Sequence, residues 1–283
     1  MDQDEILKKI MEGIERLSPP LPVLPDFSSN NSFVWKTSPH RLEVIDDVRS
    51  LNPKYLIGID NVKNLLIENT KQFSEGFSAN NALLWGARGM GKSSLITSVH
   101  SIFKHKQLKL IEIGREDLRS LDVLIKIVKN QAYRFIIFCD DLSFGANEVE
   151  YKSLKAMLDG GLESRPQNII FYATSNRRHL IAREMIENES SVGIHSSESV
   201  EEKVSLSDRF GLWLGFHNCS QDEYFNMIKS YCKMADIMVE EEHLLKLALE
   251  WQQTRGSRSG RIAWQFISDF AGKNGVNIFE KTG

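Results

Sequence analysis

ALLWGARGMGKSS, residues 82–94, joins a short apolar run to a glycine-rich turn and then to a stretch of helical texture. Within it GARGMGKSS satisfies G-x-x-x-x-G-K-[ST], in the strand, turn and helix setting that gives the pattern its meaning. A triphosphate concentrates negative charge. A turn through Gly86, Ala87, Arg88, Gly89, Met90, Gly91, Lys92, Ser93 and Ser94 can aim successive backbone N–H groups at such a charge from a helix N-terminus, and the glycines permit the curl. Lys92 is expected to reach the β- and γ-phosphates of ATP, and Ser93 to place its hydroxyl on Mg²⁺. The alternative is a chance glycine-rich turn, against which the flanking strand and helix both weigh.

Downstream, RFIIFCDDL at residues 134–142 is an apolar run closed by two acids, as a buried strand reads when it delivers carboxylates to the edge of a sheet. This is a Walker B reading. Asp140 is expected to hold Mg²⁺ through water, and Asp141 to act on the attacking water, with Glu148 and Glu150 as neighbouring candidates for the base. An acid pair capping a helix is the alternative. A further apolar run at 168–173 ends in small polar residues and puts Asn176 near the same edge, where its amide can polarise a water or touch the γ-phosphate, or simply form a turn.

Outward from these motifs, short apolar runs at 82–85, 108–113, 135–139, 168–173 and 212–216 alternate with helical stretches at 92–103, 118–130 and 148–158. That alternation predicts an α/β fold: a five-stranded parallel-sheet P-loop domain over 51–217 with helices on both faces. From 218 to 283 the apolar spacing is helical throughout, so a small all-helical lid domain is expected. In residues 1–50, Ile6, Leu7, Ile10, Met11, Ile14 and Leu17 recur at helical spacing, and the following SPPLPVLPDFSSNNS reads as a linker or strap because clustered prolines forbid helix.

With 283 residues, 41% hydrophobic and 26% charged, the chain reads as an ordinary globular protein large enough to need no disulfide staples. The formal net charge of −3 offers no general basic surplus, so nucleic acid is not indicated, although a local basic groove stays open. Cys139, Cys219 and Cys232 have no metal or redox spacing, and the seven histidines show no paired ligand spacing, so no zinc is expected. No segment approaches the roughly 20 apolar residues of a membrane span. The first residues fit neither a secretory signal nor a transit peptide, and a cytoplasmic location is the expectation.

With the two Walker elements and the third strand in this order, the chain resembles the AAA+ superfamily from about residue 51 to its end. The stretch LSDRFGLWL resembles the box in which AAA+ proteins carry an arginine finger, which implies that Arg209 reaches a neighbouring subunit's γ-phosphate. An ion pair with Asp208 or another nearby acid is the alternative use of Arg209. RGSRSGRIAWQFI resembles the start of a lid helix with a sensor-2 arginine, Arg261 being preferred to Arg258, with a solvated arginine as the other reading. By the same resemblance, Gly58, Ile59 and Asp60 stand where adenine is often contacted. A more specific resemblance, carried by ANNALLWGARGMGKSS, CDDLSF, LKAMLDGGLE, YATSNRRHL and LSDRFGLWLGF, is to a family of small bacterial AAA+ proteins known as a domain of unknown function. It implies ATP binding without supplying a substrate. Asp141 stands where AAA+ proteins commonly carry glutamate, which makes hydrolysis the less secure half of the expectation.

The resemblance implies an ATPase working in a homo-oligomer on an unidentified macromolecular client, with a nucleotide-dependent scaffold as the alternative and a P-loop small-molecule kinase as a third reading. The basic cluster Arg177, Arg178, His179 and Arg183 reads as a subunit-contact or structural face, with nucleic acid or phosphate binding as the other reading, and the acidic, Ser-rich stretch 184–202 as an insertion or partner-contact loop. Trp85, Trp213, Trp251 and Trp264 adjoin apolar runs and read as packing residues rather than as a base-stacking platform.

Overall fold

A computed structural model of the chain describes residues 3–17, 24–46, 48, 50–144, 149–159, 166–177 and 206–278. Glu148, most of the basic cluster (Arg178, His179 and Arg183) and the acidic stretch 184–202 lie outside the described residues.

The apolar runs become strands β3 (Ala82–Gly86), β4 (Leu108–Ile113), β5 (Arg134–Cys139), β6 (Ile169–Ser175) and β7 (Leu212–Phe216). They pair in parallel in the order β4-β5-β6-β3-β7. Nearly every residue of β5 and β6 is buried, as expected of strands covered on both faces. Side chains alternate across the sheet: Leu84, Ile136, Phe138, Ile170 and Tyr172 join one core, whereas Leu83, Phe135, Ile137, Phe171 and Ala173 join the other. The first core holds α2 (Asp60–Ser74) and α3 (Lys92–Phe103), and the second α4 (Leu121–Val128) and α5 (Val149–Asp159). The helix expected at 118–130 is split, with a 3-10 stretch at Arg115–Ser120 leading into α4.

The sheet is larger than the five strands read from sequence. β1 (Ser32–Thr37) lies parallel to β4, and β2 (His40–Val44) returns antiparallel to it as the edge, giving the order β2-β1-β4-β5-β6-β3-β7. The linker reading therefore extends no further than the residues before Ser32. Phe33 and Trp35 point to the same buried side, and the Trp35 indole donates to Ser120 Oγ at 2.8 Å. A buried lysine fastens the approach to β1: Lys109 Nζ donates to Asn30 O at 2.9 Å and to Asn31 Oδ1 at 2.8 Å. Further upstream, α1 (Gln3–Leu17) forms the expected amphipathic helix, with Leu7, Ile10, Met11 and Ile14 exposed.

After β7 come α6 (Gln221–Met234), α7 (Glu241–Gln253) and α8 (Gly260–Lys273). A capping box opens α6: Ser220 Oγ accepts the Glu223 N–H at 3.2 Å, and Glu223 Oε2 accepts the Ser220 N–H at 2.7 Å. Tyr224, Ile228, Ala248, Ala263 and Ile267 bury the inner faces of the three helices against one another, and the same apolar core continues to Leu56 and Met90. The helical unit thus sits over the C-terminal end of β3, where the phosphate loop begins.

Candidate nucleotide-binding site

At the C-terminal edge of the sheet, a cleft of about 840 Å³ is lined by the phosphate loop, the ends of β5 and β6, the segment before α2, and helices α6 and α8. Open parallel sheets place ligands at this edge because loops from several strands diverge there.

The loop is shaped by close packing. Gly86 has φ +126°, and a Cβ on it would lie 2.1 Å from the carbonyl oxygen of Phe216 in β7, so only glycine fits. The next N–H, of Ala87, donates to that same oxygen at 2.9 Å. Gly89 has φ +72°, and a Cβ there would meet Ser259 Oγ at 2.9 Å and Arg261 Cβ at 3.0 Å. Its carbonyl accepts the Arg261 N–H at 2.9 Å, which ties the start of α8 directly to the loop.

Lys92, in the first turn of α3, folds over the loop. Its Nζ donates to Gly86 O at 2.9 Å, to Ala87 O at 2.8 Å and to Asn176 Oδ1 at 3.1 Å. Burial pushes the Lys92 ammonium below its ordinary pKa; Asp140 and Asp141 pull it back up, while Arg261 and Arg88 push it down. Ser93 Oγ donates to Asp140 Oδ1 at 2.6 Å, and Thr174 Oγ1 donates to the same oxygen at 2.5 Å. Thr174 Oγ1 also accepts the Asp141 N–H at 2.9 Å. Asn176 Nδ2 donates to Asp141 Oδ1 at 2.6 Å. Asp141 adopts φ +51°, the left-handed region that aspartate and asparagine enter more readily than most residues.

Of the residues expected from sequence, Arg88 to Ser94, Asp140, Asp141, Asn176 and Arg261 all line this cleft. Gly86 and Ala87 stand just behind, as carbonyl acceptors for Lys92. Arg209 is not part of the lining; it pairs with Asp159 at the end of α5, the nearby-acid arrangement weighed as the alternative. Arg258 also stays outside the lining. Of the adenine candidates, Ile59 lines the cleft together with Leu56 and Ile57.

Sequence reasoning missed Thr174, whose hydroxyl joins the two acids, and the apolar side made by Leu51, Leu56, Met227, Tyr231 and Trp264. The signal for Thr174 lies in ATSN, two residues before Asn176.

The donor set fits Mg²⁺ and a nucleotide. A serine hydroxyl and a carboxylate already converge within 2.6 Å beside a lysine, and hard oxygen donors of this kind suit that ion. The cysteines take no part: burial pushes the Cys139 thiol up to about 12 and that of Cys219 up to about 11. None of the described helices is long and apolar enough to cross a membrane.

Comparison with known proteins agrees with this architecture. The RuvB Holliday junction branch migration motor of Thermotoga maritima superposes with a TM-score of 0.53 at 18% identity, covering 83% of this chain and 71% of that one. The ORC1 protein of Aeropyrum pernix, solved in complex with DNA, superposes with a TM-score of 0.55 at 14% identity, covering 79% and 65%. At such identities the likeness concerns the fold, which is that of the AAA+ proteins. No curated protein sequence matches the chain. The model of the family described as "Protein of unknown function (DUF815)" matches residues 28–274, so the chain belongs to the DUF815 family.

Proposed function

We propose that the protein is an ATPase that binds Mg-ATP in this cleft and hydrolyses it at contacts between subunits, driving work on a macromolecular client. The observation that carries the reading is the convergence of Lys92, Ser93, Asp140, Asp141, Thr174, Asn176 and Arg261, drawn from distant parts of the chain, on one cleft.

In this reading the loop amides and Lys92 hold the phosphates, and Arg261 reaches them from the lid side of the same chain. Ser93 and Asp140 would hold Mg²⁺, which would supply neutralisation of phosphate charge. Asp141 accepts a proton from the attacking water as the water oxygen bonds to the γ-phosphorus and the bond to the β-γ bridging oxygen breaks. Asn176 orients that carboxylate. Arg209 acts on a neighbouring subunit's nucleotide, leaving Asp159 when subunits meet, and the assembly is a homo-oligomer.

A second reading, a scaffold that assembles with ATP and turns over negligibly, draws on the hydrogen bond by which Asn176 engages the Asp141 carboxylate. Calorimetric titration with Mg-ATP, followed by turnover of the bound nucleotide, tests both. Binding that Lys92→Ala abolishes, with release of phosphate, is expected; binding without turnover selects the scaffold, and no binding rejects both.

A further inference from the structure

Helix α8 presents Gly260, Arg261 and Trp264 to the cleft. Residues three apart share one face of a helix and stand about 5–6 Å apart, so Trp264 lies about one turn further along α8 than Arg261. The start of the helix is pinned to the phosphate loop by the Arg261 N–H to Gly89 carbonyl bond of 2.9 Å. This fixes how far each side chain stands from the loop. Trp264 is half-buried, and its indole meets Tyr231 edge-on with centroids 5.4 Å apart and an interplanar angle of 81°. Leu56, Ile59 and Met227 complete an apolar side of the cleft, while the carboxylates, Lys92 and Arg261 occupy the polar side.

A nucleotide has the same division: charged phosphates at one end and a flat, weakly polar base at the other. We infer that Trp264 is the base-side contact of the nucleotide site, packing against the purine so that one lid helix grips both ends of the ligand. The inference rests on the nucleotide reading above. Base packing on an aromatic side chain is worth about 1–3 kcal/mol by alanine truncation, which converts to roughly 5- to 150-fold in affinity. The main-chain bond to Gly89 holds α8 on the loop without the Trp264 side chain. Truncating the indole therefore removes only the base contact, which weakens nucleotides and leaves bare polyphosphate unaffected.

The test is calorimetric titration of Mg-ADP and of Mg-tripolyphosphate into the full chain as wild type, Trp264→Ala, Trp264→Phe and Lys92→Ala. Trp264→Ala is expected to weaken ADP roughly 5- to 150-fold. Trp264→Phe is expected to restore most of that loss, and tripolyphosphate to bind equally to wild type and both Trp264 variants but not to Lys92→Ala. Unchanged ADP affinity in Trp264→Ala, with tripolyphosphate binding intact, overturns the inference and leaves the nucleotide reading standing. A wild type that binds neither ligand overturns both. Should Trp264→Ala fail to fold, the indole decides: an ADP-induced fluorescence change present in the wild type and lost in Trp264→Phe supports the inference, and an equal change in both overturns it.

Discussion

Asn176 donates its side-chain amide to Asp141 Oδ1 at 2.6 Å, and the oxygen of the same amide accepts from Lys92 Nζ at 3.1 Å. One neutral residue thereby bridges the Lys92 ammonium, proposed above to hold phosphate, and the Asp141 carboxylate, proposed to act on the attacking water. Both partners are charged, so each bond is of the stronger, charge-assisted kind. Asn176→Ala is expected to lower the ATP turnover rate by roughly 10²- to 10³-fold, in line with the loss of a single preorganised donor. ADP affinity is expected to stay close to the wild-type value. Single-turnover kinetics beside ADP titration separates the two quantities, and an equal loss in both would make Asn176 a structural residue only.

The left-handed backbone at Asp141, with φ +51°, bears on why aspartate stands at this position. Outside glycine, asparagine and aspartate, that conformation costs about 1–2 kcal/mol. Asp141→Glu is therefore expected to lose about 1 kcal/mol of stability. It is also expected to turn over ATP more slowly than the wild type, because the longer side chain displaces the carboxylate from Asn176. Urea unfolding and phosphate release measure the pair. A glutamate variant that is as stable and faster would mean that the short side chain is the defect limiting catalysis.

Arg209 pairs with Asp159 within its own chain and stands outside the cleft lining. If it serves a neighbour's nucleotide, Arg209→Ala is expected to keep ADP binding while losing on the order of 10³-fold in turnover. Mixing Arg209→Ala with Lys92→Ala is expected to recover part of the activity, since mixed contacts pair an intact loop with an intact arginine. Absence of recovery, with assembly verified by light scattering, argues that the ion pair with Asp159 is the whole role of Arg209.

His100 is buried in α3, where its Nε2–H donates to the Leu108 carbonyl at 3.1 Å. Burial pushes its pKa down from 6.5 to about 4. The unfolded chain takes up the proton from about pH 6.5 downward, whereas the folded chain resists until about pH 4. The unfolded state binds more protons across that window, so stability is complete above pH 6.5 and falls as the pH drops towards 4, by on the order of 3 kcal/mol. Denaturant unfolding from pH 7 to 4.5 is expected to show a shallower decline in His100→Gln than in the wild type. Parallel declines would remove His100 as the cause.

The phosphate loop and its strand were legible because their chemistry is local: one continuous stretch carries the strand, the turn and the helix. The strands β3 to β7 were equally plain, each a run of mostly apolar residues, with β5 and β6 buried almost throughout. β1 and β2 were harder. SFVWKT and HRLEV are short and mixed, and the cue was the alternation of Phe33 and Trp35, which the preceding Ser/Asn run obscured. The apolar side of the cleft carried no local signal at all. Leu56 and Trp264 line the same cleft from distant parts of the chain, and their convergence depends on how the lid packs. Arg261 was found through the helix start around it, whereas Trp264, one turn along, read as ordinary packing. Arg209 was legible as an arginine of note, but its partner Asp159 was not, since nothing in sequence brings the end of α5 beside it.

The most direct test of the central claim is steady-state ATP hydrolysis measured against protein concentration, with Mg²⁺ throughout and Lys92→Ala as the blank. Hydrolysis at shared contacts predicts a specific activity that rises with concentration to a plateau. Specific activity independent of concentration, in protein shown to be dispersed at the low end and assembled at the high end, would contradict catalysis between subunits.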